Sequence, residues 1–240
     1  MYLTNSKLVT QMISFCRHQS FLLFSLWVLL ASFSLSAQTQ IGADIDGEAA
    51  SDSSGRSVSM SSDGSRVAIG AFGNDANGSG SGHVRIYDYN GSAWVQVGAD
   101  IDGEAEGDVS GYSVSISSDG SRVAIGAYGN DANGSSSGHV RIYDYNGSAW
   151  VQVGADIDGE AASDQSGESV SISSNGSRVA IGAWLNDGTS SSINDNRGHV
   201  RIYDYNGSAW VQVGEDIDGE AASDSSGRSV SMSSDGSRVA

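Results

Sequence analysis

The sequence predicts an all-β protein: an incomplete β-propeller of four-stranded antiparallel blades, with about three and a half repeat units. A sixteen-residue segment occurs three times, a Gly-Ala-Asp-Ile-Asp-Gly-Glu motif or its close variant returns at intervals of 56, 56 and 60 residues, and helical periodicity is absent between the copies. Periods of this size are typical of propellers, solenoids and arrays. Four strands in about 56 residues fit one propeller blade, whereas one coil of a parallel solenoid takes about 20 to 30 residues.

The segment that occurs three times is predicted to be a β-hairpin. Its copies begin at Gly82, Gly138 and Gly198. Each copy has alternating apolar residues on both sides of an Asn-Gly pair, such as Asn146-Gly147 in the second copy. Asn-Gly is a strong signal for a two-residue hairpin turn, because both turn positions need positive φ. The segment therefore supplies the two outer strands of each blade.

Two more strands precede the hairpin in each unit. In the first unit residues 57–61 alternate between apolar and polar side chains, and an Asp-Gly turn leads into a second strand at residues 66–71. The second strand of the next unit, residues 123–127, reads Val-Ala-Ile-Gly-Ala and is apolar or small on both faces. A strand with this composition is expected to be covered on both sides, and its glycine and alanines allow neighbouring sheets to approach.

The repeats define the domain organisation of residues 38–240. The units cover residues 42–97, 98–153, 154–213 and 214–240, and the last unit supplies only two strands, at residues 229–233 and 238–240. The third unit is four residues longer, in the loop between Ala183 and Gly198. The start of the first strand also varies between units, which favours either a binding surface or a tolerant loop: the residues are Arg56, Tyr112, Glu168 and Arg228.

Residues 1–37 differ from the repeats and predict a secretory signal peptide. Lys7 and Arg17 precede an apolar run at residues 21–33, and small residues favour cleavage after Ala37. The alternative is an uncleaved membrane anchor, but a run of about 13 residues is short against the ~20 that span a bilayer. We expect a secreted or cell-surface protein with no membrane insertion after cleavage.

Charge and cysteine content narrow the class of the exported chain. Removing Lys7 and Arg17 leaves 10 basic and 29 acidic residues, a net charge of −19. This charge disfavours nucleic acid and anionic membranes as partners. The single cysteine, Cys16, lies before the predicted cleavage point, so the exported chain must be held together by its core or by metal rather than by disulfides.

The second unit resembles the FG-GAP repeat of integrin α-subunit-type β-propellers and their bacterial secreted relatives. Three segments carry the resemblance: residues 111–116, 123–127 and 138–143. The chain departs from the family where Ser110-Gly111 replaces Phe-Gly and where Tyr128 stands in place of a frequent proline. The resemblance implies a propeller of about seven blades and a role in adhesion or ligand binding, not catalysis.

The resemblance implies one candidate cofactor, calcium. Many family members bind it in an Asp-rich loop between the first and second strands, but here that connection, residues 117–121, is too short to surround a cation. Calcium takes six to eight oxygen ligands, and a weaker site is predicted between one sheet and the next from Asp100, Asp102, Glu104 and Asp108. Asn130, Asp131 and Asn133 form a second oxygen-rich loop. Both sets are also ordinary turn formers and match no full calcium-loop signature.

Catalytic and metal-ligating groups other than these are not predicted. The histidines of the exported chain, His83, His139 and His199, occupy one repeat position, and no second ligand type was recognised beside them within a unit. They are therefore predicted to be strand residues. Gly-x-Ser-x-Gly occurs once, at residues 134–138, but it leads into a predicted strand and not into the helix that a nucleophile elbow requires. No unique set of nucleophile, acid and base stands apart from the repeats, although catalytic groups are usually singular.

The leading functional prediction is a non-enzymatic binding or adhesion module that contacts a protein or glycan ligand through its blade loops. An alternative is the non-catalytic propeller part of a larger secreted carbohydrate-active enzyme or cell-surface assembly. A third hypothesis makes the propeller itself a hydrolase or lyase. A downstream catalytic segment would favour the second hypothesis, and a sorting domain would favour the first.

Overall fold

A computed structural model describes residues 39–188 and 195–240, so the predicted signal peptide lies outside the described residues. Residues 41–240 form one compact unit. All fifteen regular elements in the described residues are β-strands, which confirms the all-β prediction. No helix in the described part is long and apolar enough to cross a membrane.

The strands form three antiparallel sheets of the same design. Sheet 1 contains β1 (Ser57–Met60), β2 (Arg66–Ala71), β3 (His83–Tyr89), β4 (Trp94–Gln96) and β5 (Ile101–Asp102). Sheet 2 contains β6 (Ser113–Ile116), β7 (Arg122–Ala127), β8 (His139–Tyr145), β9 (Trp150–Gln152) and β10 (Ile157–Asp158). Sheet 3 contains β11 (Ser169–Ile172), β12 (Arg178–Ala183), β13 (His199–Tyr205), β14 (Trp210–Gln212) and β15 (Ile217–Asp218).

The outer strand of each sheet is split into two short pieces. In sheet 1, β4 pairs with the second half of β3 through Tyr89 and Trp94, and β5 pairs with the first half through His83 and Asp102. The predicted four-stranded blade is therefore present, with its fourth strand interrupted at residues 97–100. Two residues are too few to show the alternation that identifies a strand in a sequence, so β5 was not predicted.

The hairpin is confirmed, but its turn differs from the prediction. Four residues, 90–93, separate β3 from β4, and the Asn90 amide donates to the Ala93 carbonyl at 3.0 Å. Of these four residues only Gly91 has positive φ. The Asn90 side-chain oxygen accepts the Ser92 and Ala93 amides, both at 3.0 Å. Asparagine therefore stabilises the turn through its side chain and does not need the left-handed backbone of a two-residue turn.

Neighbouring sheets stack face to face as propeller blades do. The first strands of successive sheets contact one another, and the second strands are buried from their second residue onward. A Cβ built on Gly126 of β7 would lie 2.0 Å from the carbonyl oxygen of Gly167, at the start of sheet 3. The predicted close approach of neighbouring sheets at this glycine is confirmed.

An arginine at the start of each second strand joins its own sheet to the next one. Arg122 donates from Nε to Asp144 Oδ1 at 2.5 Å and from Nη2 to Oδ2 at 2.7 Å, within sheet 2. Its Nη1 donates at 2.9 Å to the carbonyl oxygen of Gly176, in the turn between β11 and β12 of sheet 3, and its guanidinium lies 4.9 Å from the ring centre of Tyr205. Arg66 makes the equivalent contacts between sheets 1 and 2.

The described array of sheets is uncovered at both ends, on the outer face of sheet 1 and at the incomplete fourth unit. Val58 and Met60 of β1 are 55% and 52% exposed, whereas Ile116, which is equivalent to Met60, is 7% exposed because sheet 1 covers it. In the fourth unit the two predicted strands are reduced to a single bridge between Met232 and Val239. The array therefore consists of three complete blades and the beginning of a fourth, as predicted for an incomplete propeller.

Candidate functional site

The positions at which the repeat units differ lie mainly at one end of the blades. This end carries the loops that follow each second strand and those that precede each first strand. Exceptions include Met60, where sheet 2 has Ile116, and Asn175, where sheet 2 has Asp119 in the turn at the opposite end. Because the rest of each unit is nearly invariant, this end is where one blade is chemically distinguished from another.

Seven side chains at this end form a group that we call the variable face: Arg56, Phe72, Tyr112, Tyr128, Glu168, Trp184 and Arg228. The Phe72 and Tyr112 rings meet edge to face with centroids 5.4 Å apart, and Tyr112 meets Tyr128 in the same way at 4.6 Å. The Arg56 guanidinium lies 5.0 Å from the Tyr112 ring centre and donates from Nη2 to its hydroxyl at 3.2 Å. Residues from the first two units are thus in direct contact.

The third and fourth units supply the other half of the variable face. The Arg228 guanidinium lies 4.7 Å from the Trp184 ring centre, and Trp184 Nε1 donates to Gln165 Oε1 at 2.7 Å. Burial raises the pKa of the Glu168 carboxyl, while Arg228 and Arg56 act in the opposite direction. Glu168 therefore links the two halves electrostatically, since it interacts with a guanidinium on each side.

The long loop of the third unit begins at the variable face. Trp184 opens this loop, and Asn186 anchors it by donating from Nδ2 to Asp164 Oδ2 at 2.8 Å. The loop rejoins the described chain at Asp195, whose carboxylate is paired with Arg197. Residues 189–194 lie outside the described residues, so the predicted insertion is described only at its two ends.

The four carboxylates predicted to bind calcium have three different environments. Asp108 Oδ2 accepts the amides of Glu104 and Ala105 at 3.2 and 2.9 Å, and its Oδ1 accepts Asn130 Nδ2 at 3.3 Å, so it caps its own loop. Asp102 lies opposite His83 in the sheet. Asp100 and Glu104 belong to two separate clusters of potential ligands. No single group of described oxygens therefore contains all four, and calcium binding by them stays a prediction.

The side chains of the second oxygen-rich loop form hydrogen bonds within the loop and with neighbouring segments. Asn130 Oδ1 accepts the Ala132 amide at 2.9 Å, and Asp131 Oδ1 accepts the Ser136 amide at 2.7 Å. Asn133 Nδ2 donates to the carbonyl oxygen of Gly159 at 2.8 Å. These side chains shape the loop, as the turn-forming alternative expected.

Each buried histidine lies beside a glutamate and an aspartate, which corrects the prediction that no second ligand type accompanies it. His139 Nδ1 is 3.9 Å from Glu104 Oε2 and 3.8 Å from Asp156 Oδ2. The same arrangement occurs once per sheet in the described residues, in the clusters Glu48–His83–Asp100, Glu104–His139–Asp156 and Glu160–His199–Asp216. The available sequence signal was the fixed distance of 17 residues from each histidine to its aspartate.

A family model described as FG-GAP repeat matches residues 40–87 and 99–143. Both matched segments are FG-GAP repeats. These FG-GAP repeats coincide with the first two blades and their connecting segments, and the third blade repeats nearly the same sequence. The resemblance found in the sequence is thereby confirmed. A search of curated proteins gave no match.

Comparison with solved structures gave matches to the array of blades, two of which follow. A protein provisionally assigned as a 6-phosphogluconolactonase from Bacteroides uniformis ATCC 8492 matches with a TM-score of 0.52 and 12% identity, over 76% of this chain and 45% of that one. Hydrazine synthase from Kuenenia stuttgartiensis matches with a TM-score of 0.45 and 14% identity, over 84% of this chain and 44% of that one. This chain spans less than half the length of either structure. At 12% identity the first match supports the fold alone.

Proposed function

We propose that the protein is an exported binding or adhesion module that holds a protein or glycan ligand against the variable face and has no catalytic activity of its own. One observation carries the proposal: most of the side chains that differ between nearly identical blades lie at one end of the blades, in two groups of aromatic and charged contacts. FG-GAP repeats are generally non-catalytic, which supports the same assignment. Export rests on the signal-like residues 1–37.

The chemistry of the variable face suits recognition. Tyrosine, tryptophan and arginine are the residues that contribute most to binding energy at interfaces. Phe72, Tyr112 and Tyr128 are half-buried and hold one another edge to face, so they lose little conformational freedom when a ligand covers them. Arg56 and Glu168 add opposite charges beside the rings, which lets the face select a ligand by charge as well as by shape.

The test exchanges two residues of the variable face between blades. In the double variant Tyr112→Glu with Glu168→Tyr, each residue type already occurs at its new repeat position in another unit, and composition and net charge are unchanged. Purified wild type should give saturable binding to at least one member of an array of glycans and extracellular matrix proteins. The exchange should weaken that binding at least about tenfold, the loss typical of one interface hot spot.

A matched control moves two residues at the opposite end. The double variant Asp119→Asn with Asn175→Asp also preserves composition and charge, and its two positions lie in the turn between first and second strands. It should bind as wild type does. An array with no saturable ligand for the wild type, or an equal loss of binding in both exchange variants, would contradict the proposal.

A further inference from the structure

The imidazole rings of the three Glu–His–Asp clusters are buried, and their Nδ1 atoms have no hydrogen-bond partner. Each histidine side chain is 1% exposed, and the Nδ1 atoms of His83, His139 and His199 make no hydrogen bond. Each Nδ1 instead faces two carboxylate oxygens at 3.6–3.9 Å. Buried polar atoms are nearly always paired, so three equivalent exceptions that point at carboxylates call for a common explanation.

We propose that each Glu–His–Asp cluster binds one first-row divalent transition-metal ion, with zinc as its best representative. One imidazole nitrogen and two carboxylate oxygens form a donor set that zinc accepts, whereas calcium takes oxygen ligands. Metal–ligand bonds of about 2.1 Å in a tetrahedron place neighbouring ligand atoms ~3.4 Å apart. The observed separations of 3.6–3.9 Å from Nδ1 are a few tenths of an ångström larger, a gap that small side-chain rotations close.

The charges around the central cluster favour a divalent cation. Asp158 adds a third negative charge to those of Glu104 and Asp156. It lies opposite His139 in the sheet, and its buried Oδ1 has no hydrogen-bond partner. Two cations lie nearby. Arg141 Nη1 lies 3.6 Å from Glu104 Oε1 and leaves the other glutamate oxygen facing the imidazole, and Arg201 Nη2 donates to the Asp158 carbonyl oxygen at 2.7 Å. With Asp108, whose charge also acts on Glu104 and His139, four carboxylates face two guanidiniums, which leaves two negative charges for a divalent ion to neutralise.

The location of each cluster gives the ion a structural role. Glu104 follows β5 of sheet 1, whereas His139 begins β8 and Asp156 precedes β10 of sheet 2. An ion held by all three would tie the segment between two blades to the blade that follows. The Glu104 and Asp156 side chains are 46% and 29% exposed, which gives an ion access from solvent. In a chain without disulfides after residue 37, three such ties would stabilise the array.

The test is isothermal titration of tag-free protein with zinc chloride, repeated in excess calcium chloride. Wild type should bind close to three zinc ions per chain, and calcium should not displace them. Asp156→Asn should lower the stoichiometry by one and reduce the zinc-dependent rise in melting temperature. Asp119→Asn removes a carboxylate outside the clusters, at a position where the third unit already has Asn175, and should retain three ions.

A second readout keeps the result independent of folding defects. Zinc should shift the imidazole resonances of His83, His139 and His199 in nuclear magnetic resonance spectra of the wild type, and Asp156→Asn should lose the His139 shift alone. Absence of saturable zinc binding, a stoichiometry unchanged in Asp156→Asn, or tighter binding of calcium than of zinc would overturn the proposal. None of these results depends on what the variable face binds.

Discussion

Replacing Gly126 with alanine is expected to lower the free energy of unfolding by about 3 kcal/mol or more, the upper range for overpacking a rigid core. The added Cβ would lie 2.0 Å from the Gly167 carbonyl oxygen and 2.3 Å from Ser113 Oγ. That oxygen cannot retreat freely, because Ser113 Oγ donates to it at 2.7 Å. Sheets 2 and 3 would have to separate. Urea denaturation followed by circular dichroism measures the loss.

The control for this substitution is Gly147→Ala. Gly147 lies in the outer hairpin turn with φ of 94°, and a Cβ there meets no atom within 4 Å. Alanine at this position costs only the strain of a left-handed backbone, about 1 kcal/mol. Gly126 has no positive φ, so its substitution reports the contact between sheets alone. Equal stability of the two variants would contradict the close stacking of blades.

Replacing Arg122 with alanine should produce the second-largest effect, a loss of about 2 kcal/mol. The substitution removes both hydrogen bonds to Asp144, the bond to the Gly176 carbonyl and the contact with the Tyr205 ring. Breaking a fully buried ion pair costs about 3 to 5 kcal/mol, but the Asp144 side chain is 41% exposed and water replaces part of the interaction. Urea denaturation again gives the value.

Two further variants separate the causes of that loss. Arg122→Lys keeps the charge but cannot form the planar two-point contact with Asp144, so it should recover less than half of the lost stability. Arg238 occupies the same repeat position in the fourth unit and is exposed. Arg238→Ala should change stability by less than about 0.5 kcal/mol, as is usual for surface positions. A loss at Arg238 as large as at Arg122 would show that the contact between blades is not the cause.

Strand positions were predictable from the sequence because repetition shows the same local pattern three times. The alternation in residues 57–61 and the apolar run at 66–71 predict β1 and β2 closely. The second outer piece, β5, was missed because its two residues carry no period of their own. The predicted geometry of the turn at Asn90 is wrong because an Asn-Gly pair can form two kinds of turn. One is a two-residue hairpin turn, and the other is a longer turn stabilised by hydrogen bonds to the asparagine side chain, as observed here.

The candidate sites were less accessible from the sequence. Variation at position 112 and its equivalents was visible, but its contact with Phe72 and Tyr128 depends on how loops of different blades converge. The histidine clusters were missed because Glu104, His139 and Asp156 come from three segments on two sheets. Glu104 and His139 belong to one unit but lie 35 residues apart, and Asp156 belongs to the next unit, so no local pattern connects the three.

Hydroxyl-radical footprinting of the protein with its tightest array ligand tests most directly whether the variable face is the binding surface. Aromatic side chains report both outcomes in one experiment, because Tyr112, Tyr128 and Trp184 lie on the variable face while Trp94 and Trp150 lie on the outer strands. We expect the ligand to protect Tyr112, Tyr128 and Trp184 from oxidation. The oxidation of the two outer tryptophans should be unchanged. Protection of Trp94 and Trp150, with Tyr112, Tyr128 and Trp184 oxidised as in the free protein, would contradict it.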